Sequence, residues 1–251
     1  MEHLRAKQRG SNRRRSSIWA AGATLLLLAA WPATGRGTEP AASPRLVPSA
    51  SAELTEYRGF RRMHARSDHF DQEAWLDAWT ELDVTGFRYR ILSERGSEHI
   101  RNKVLRAVLK REQEIVAEGM HRAALTDANY VFTEPGEEVD DVRYVRMKPK
   151  RKDVVLVDGR MVLSPDGSDL LRIEGRLARN PSFWTSLVNV VRHFATVDGV
   201  RVPTSTESQA QLKLAGRSTM QVVYEYESIN GRPVTVSSRR QLASAARPRQ
   251  Q

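Results

Sequence analysis

The stretch Val200-Arg201-Val202-Pro203-Thr204-Ser205-Thr206-Glu207-Ser208-Gln209-Ala210-Gln211-Leu212-Lys213-Leu214 alternates along almost its whole length. Val200, Val202, Thr204, Thr206, Ser208, Ala210, Leu212 and Leu214 share one side; Arg201, Glu207, Gln209, Gln211 and Lys213 share the other. Successive side chains of a strand point to opposite faces, so this period of two predicts a strand with one dry and one wet face. Strands of that kind belong to an antiparallel sheet solvated on one side.

The pattern recurs outward from that stretch. Ala74, Leu76, Ala78, Thr80, Leu82 and Val84 share a face, with Asp77, Glu81, Asp83, Trp75 and Trp79 opposite. Phe87, Tyr89 and Ile91 alternate with Arg88 and Arg90; Leu171, Ile173 and Leu177 with Arg172, Glu174 and Arg176; Met220, Val222, Tyr224 and Tyr226 with Gln221, Glu225 and Glu227. Turn signals separate the runs at Ser67-Asp68, Pro135-Gly136, Asp158-Gly159, Pro165-Asp166-Gly167, Asp198-Gly199 and Gly216. The reading is about nine or ten strands.

One segment has the other period. Over 98–118, Ile100, Val104, Val108 and Ile115 form a helical stripe with Ala107 beside it, and Arg101, Lys103, Arg106, Lys110, Arg111 and Glu114 take the wet side. Ser97 suits the N-cap and Gly119 the C-terminal stop. Thr126-Asp127-Ala128-Asn129 predicts a shorter helical turn. The class is therefore mainly β (α+β). A sheet this wide with one apolar face must curl, split or be covered, and a single long helix is available to cover it. The expected result is a large curved antiparallel sheet wrapped around that helix, enclosing an apolar concavity.

The chain opens with a basic segment, Arg5, Lys7, Arg9 and Arg13 to Arg15 against one Glu2, then an uncharged run from Ile18 to Trp31, then small residues at Ala33 and Gly35. That order reads as a secretory signal over 1–35. Residues 36–52, rich in Pro, Ala and Ser, read as a flexible linker, and the basic, Ala-rich 239–251 as a disordered tail. The expectation is an exported, periplasmic domain over 53–238 that carries no lipid anchor, since no cysteine follows the apolar run. The formal charge of +10 sits mostly on the leader and tail, which argues against a nucleic-acid partner. The lack of cysteine removes disulfides, thiol catalysis and thiolate metal sites together.

Little chemistry is visible. His64, His69 and Asp71 fall around a turn, but neither they nor His99, His121 and His193 match a zinc spacing. Glu137, Glu138, Asp140 and Asp141 lack the ligand order and glycine of a calcium loop. No serine sits in a nucleophile elbow and no glycine loop cradles phosphate. The expectation is no enzyme, no metal and no cofactor. Asn180-Pro181-Ser182-Phe183-Trp184 stands out: its aromatics either plug one end of the core or line the mouth of a ligand cavity.

Several motifs resemble a family. Arg172-Ile173-Glu174-Gly175, Ala178-Arg179-Asn180-Pro181-Ser182-Phe183-Trp184 and Val197-Asp198-Gly199-Val200-Arg201-Val202-Pro203 are similar to exported bacterial proteins described as outer-membrane-lipoprotein-sorting-like. Ser93-Glu94-Arg95-Gly96-Ser97, Ile100 to Leu105, Leu125-Thr126, Asn129-Tyr130, Gly216-Arg217 and Tyr224-Glu225-Tyr226 fit as well, so the resemblance spans roughly 54–230. The LolA/LolB-type fold that it implies is an incomplete β-barrel of about eleven strands with helices as a lid, whose members hold acyl chains of lipids or lipoproteins. Domain 53–238 is then a LolA-like half-barrel, with one clear helix rather than several.

Acyl chains gain about 0.8 kcal/mol for each CH₂ removed from water, so an apolar concavity can carry one without chemistry. The function expected is a periplasmic lipid or lipoprotein acyl-chain carrier, with transient membrane contact. Its walls are expected at Leu76, Phe87, Tyr89, Ile91, Ile173, Leu177, Trp184, Val222, Tyr224 and Tyr226, with Ile100, Val104 and Val108 beneath the helix. Each of these is equally readable as packed core. The alternative is an envelope interaction or stress-sensing protein that docks a protein partner through Trp75, Trp79 and the basic tail.

Overall fold

Strand β1 (Tyr57–Ser67) lies at the centre of the topology, although its four arginines hide it from a search for apolar alternation. It pairs antiparallel with β2 (Gln72–Asp83), which pairs with β3 (Gly86–Gly96). The computed structural model describes residues 51–134, 142–183, 185–213 and 216–246. The leader 1–35, nearly all of the linker, Pro135-Gly136, the acidic cluster 137–141, Trp184, Leu214 and the last five residues of the tail lie outside them.

After β3 the chain enters one continuous helical segment: α1 (Glu98–Ile100), a π-helical turn (Arg101–Leu105) and α2 (Arg106–Glu118). It ends at Gly119, whose φ of +95° suits glycine. A 3₁₀ turn follows (Met120–Ala123), and then β4 (Tyr130–Thr133), β5 (Arg143–Pro149), β6 (Val157–Leu163), β7 (Leu170–Leu177), β8 (Thr185–Val197), β9 (Val200–Leu212) and β10 (Gly216–Ile229) return in order. The sheet of eleven strands runs β3-β2-β1-β10-β9-β8-β7-β6-β5-β4, with β11 (Arg232–Pro233) paired to β10, and it is not closed into a barrel.

That order dictates the shape. The helical segment leaves one edge strand, β3, and the chain resumes at the opposite edge, β4. Ten adjacent strands span roughly 43 Å along the sheet, whereas a helix of this length spans about 30 Å. The sheet must curve for the helix to bridge its concave side. Irregularities at Arg58/Gly59, Asp77/Ala78, Val162/Leu163, Thr185/Leu187 and His193/Phe194 supply local bends.

The concave face holds two apolar clusters. The larger joins Met63, Leu76, Phe87, Val188, Val222 and Tyr224 to the helical residues Ile100, Leu105, Val108 and Leu109. The second joins Val145, Met147, Met161, Leu163, Leu170, Ile173 and Phe194 to Ile115, Leu125, Tyr130 and Leu156.

The structure alters several sequence expectations. Asp158-Gly159 is not a turn but lies inside β6, where Gly159 faces Gly175 of β7. The backbones approach so closely that a β-carbon on Gly159 would stand 2.1 Å from the Glu174 carbonyl oxygen. Leu171 is exposed and Leu170 is buried instead, because the pairing of β6 with β7 slips a residue there. The pairing of β8 with β9 skips Thr204, so Val200 and Val202 face the side opposite Thr206 and Ala210 rather than sharing it. The single helical turn expected from Thr126 is present, however, closed by Tyr130 N–H donating to Thr126 O at 3.0 Å and Asn129 N–H donating to the same oxygen at 2.9 Å. Val84 lies exposed in the β2–β3 turn. Ser97 precedes the helix as expected, but its hydroxyl bonds Gln72 Oε1 at 3.0 Å rather than capping.

Two further differences concern helices. The π turn takes one residue more than an α turn, so Leu105 occupies the buried place assigned to Val104, which is only partly buried. Part of the expected disordered tail is helix α3 (Val236–Ala245). Thr235 Oγ1 caps it by accepting from Ser238 N–H at 3.2 Å, and Leu242 is buried with Val197, Val200, Val202 and Val234.

Candidate functional site

Alternation fails instructively at three places on the concave side. Arg61 stands between Gly59 and Met63 on the inward parity of β1, and Arg192 between Val190 and Phe194 on that of β8. Glu112 stands on the inward stripe of α2 between Leu109 and Ile115. These charged residues meet around one hollow lined by Leu54, Tyr57, Leu82, Val116, Met120, Pro203, Tyr224 and Tyr226 as well. The space inside it that a water-sized sphere can occupy is about 20 Å³, room for about one water.

The guanidinium of Arg61 and the carboxylate of Glu112 meet at two points. Nη2 donates to Oε1 at 2.9 Å, and Nη1 donates to Oε2. Nη2 also donates to Tyr57 Oη. The cation lies over the rings of Phe87 at 4.9 Å and Tyr224 at 5.0 Å. Burial opposes its charge, but the facing Glu112 carboxylate, Tyr57 and Tyr224 together outweigh burial and hold the guanidinium pKa well above its ordinary value.

Arg192 is fully buried, and its Nε donates to Thr206 Oγ1 at 3.0 Å. Burial lowers its pKa, and the nearby charge of Arg61 adds to that. Tyr226 Oη donates to Pro203 O at 2.8 Å, and burial pushes its phenol and that of Tyr57 upward. The lining thus combines these hydrogen-bonding and charged groups with apolar Leu54, Leu82, Val116 and Met120.

Of the residues expected as walls, Tyr224 and Tyr226 line the hollow. Leu76, Phe87, Ile100, Val108, Leu177 and Val222 are buried in the larger cluster, with Tyr89, Ile91 and Val104 packed against it, and Ile173 lies in the second cluster. Trp184 lies outside the described residues; its neighbour Phe183 is exposed, with Lys213 Nζ 3.9 Å from the ring centre. Tyr57, Arg61, Glu112 and Arg192 were not expected. The available signal was a charged residue on an inward parity, which alternation scores as a defect.

Among the described residues no group of three or more His, Asp or Glu could hold a metal ion, and no helix is long and apolar enough to cross a membrane. His64 instead bonds Glu73 Oε2 at 3.0 Å and stacks on Trp75 on the convex face.

No family model and no curated protein matches the chain. Solved structures do. A LolA superfamily protein from Nitrosomonas europaea is similar in fold with a TM-score of 0.40 and 10% identity, over 77% of this chain and 94% of that one. A DUF1329 family protein from Desulfovibrio piger is similar with a TM-score of 0.34 and 13% identity, over 68% of this chain and 84% of that one.

Proposed function

We propose that this chain is an exported, periplasmic binding protein that holds an acyl chain of a lipid or lipoprotein between its concave sheet and helix α2, without chemistry. The observation that carries the reading is the single concave apolar face with a helix laid in it and a hollow at their junction. The helical stripe of Leu105, Val108 and Leu109 covers Leu76, Phe87 and Val222 in this structure. An acyl chain sliding between them replaces one apolar contact with another, so opening exposes little net apolar surface to water once the chain is seated. The test is native mass spectrometry of delipidated protein incubated with a long-chain fatty acid or a lipopeptide. Retained ligand at one equivalent supports the reading; no retained ligand contradicts it.

A second reading rests on the convex face. Trp75 is sandwiched between His64, at 4.7 Å, and Arg95, whose guanidinium carbon lies 4.4 Å from the ring centre. Phe60 meets Trp79 edge-on at 4.8 Å. These half-buried aromatics offer a rigid surface to an envelope protein. Pull-down from envelope extract discriminates: a stoichiometric protein without co-purified lipid favours docking over carriage.

A further inference from the structure

Three features of the hollow bear on what an amphiphile would place in it. Its described lining carries two guanidiniums, Arg61 and Arg192, and one carboxylate, Glu112. Both oxygens of that carboxylate are engaged by Arg61. Three phenols, of Tyr57, Tyr224 and Tyr226, stand around them. A methylene chain laid against this wall offers no counterpart to its buried positive charge. A carboxylate or phosphate would accept charge-assisted hydrogen bonds from planar guanidiniums, in surroundings where screening is weak.

We infer that this hollow, about one water in size as it stands, widens as helix α2 lifts to admit an amphiphile and then seats its anionic head group, a carboxylate or phosphate, while the chain runs past Leu82, Val116 and Met120 along the concave face. The inference rests on the acyl-chain reading and names the head-group chemistry of the same ligand. Arg61 and Arg192 both line the hollow and repel one another, so an anion seated there offsets that repulsion. Glu112 has the opposite effect: its carboxylate competes with the incoming anion for Arg61.

The experiment is isothermal titration of delipidated protein with dodecyl phosphate, laurate, dodecanol, dodecyltrimethylammonium and inorganic phosphate, each below its micelle concentration. The inference expects dodecyl phosphate and laurate to bind at least about tenfold tighter than dodecanol and the cationic amphiphile, with inorganic phosphate weaker than dodecyl phosphate. Glu112→Gln is expected to raise the ratio of dodecyl phosphate to dodecanol affinity, and Arg192→Gln to lower it. A helix merely loosened by either change shifts both probes together and leaves the ratio alone. The wild-type comparison stands even if Arg192→Gln does not fold. Equal affinity for dodecanol and dodecyl phosphate overturns the inference and leaves the acyl-chain reading intact. Binding of inorganic phosphate with no gain from the chain overturns both, as does failure of every probe to bind.

Discussion

Arg61 on β1 and Glu112 on α2 form a two-point ion pair, with Nη2 2.9 Å from Oε1, that ties the concave face of the sheet to the helix lying in it. Both side chains are nearly sequestered from water, so neither charge is tolerated without the other. Removing one partner by Arg61→Leu or Glu112→Ala is expected to destabilise the fold by about 3–5 kcal/mol. The double variant Arg61→Met with Glu112→Leu is expected to recover most of that loss, because an apolar pair of similar volume avoids the desolvation cost. Urea unfolding of the three variants and the parent measures this as a double-mutant cycle.

The π turn decides which residues of the helix face the sheet. Leu105 is fully buried while Val104 is only partly so. Leu105→Ala is expected to cost about 2–5 kcal/mol, and Val104→Ala less than half as much. Equal costs in thermal unfolding would place both on the rim of the stripe and contradict the one-residue shift.

Gly159 and Gly175 let β6 and β7 approach where no β-carbon fits. The obstacle for Gly159→Ala is backbone, the Glu174 carbonyl, which has no rotamer to move aside. The substitution is expected to cost more than about 2 kcal/mol and to disturb the amide resonances of β6 and β7 ahead of those of β1 and β2.

Buried phenols set an alkaline limit. Burial pushes the Tyr130 phenol up to about 12 and raises Tyr57 and Tyr226 as well. A raised folded-state pKa means stability that is fully present below the unfolded value, near 10, and lost as pH rises toward and through the folded value. Stability is therefore expected to be flat with respect to these groups up to about pH 10 and to fall between there and about pH 12. The part of the tyrosinate absorbance that is lost in a variant carrying Tyr57→Phe, Tyr130→Phe and Tyr226→Phe should rise in step with loss of β-sheet circular dichroism rather than before it.

The strands that alternate cleanly, such as Gln72–Asp83 and Met220–Tyr226, were legible because each buries one face over its full length. So was the extent of the helical segment, which begins at Glu98 and stops before Gly119. β1 was not legible: with Arg61 pointing inward and arginines outward, its composition resembles a loop. Slips at Leu171 and Thr204 were invisible because an unpaired residue in a strand leaves no mark in a single chain's alternation. The candidate site was legible only in Tyr224 and Tyr226. Its charged members look like wet-side residues until the pairing of β8 with β9 and the course of α2 bring Arg192, Glu112 and Arg61 to one place.

The central claim is that an acyl chain lies between helix α2 and the concave sheet. Photo-crosslinking with a fatty acid bearing a diazirine near its methyl end, followed by peptide mass spectrometry, tests it directly. The account predicts labelling on the concave side, at Leu82, Val116 or Met120 and the buried residues beyond them, competed away by unlabelled fatty acid. Labelling confined to the convex aromatics Phe60, Trp75 and Trp79, or none that unlabelled fatty acid displaces, would contradict it.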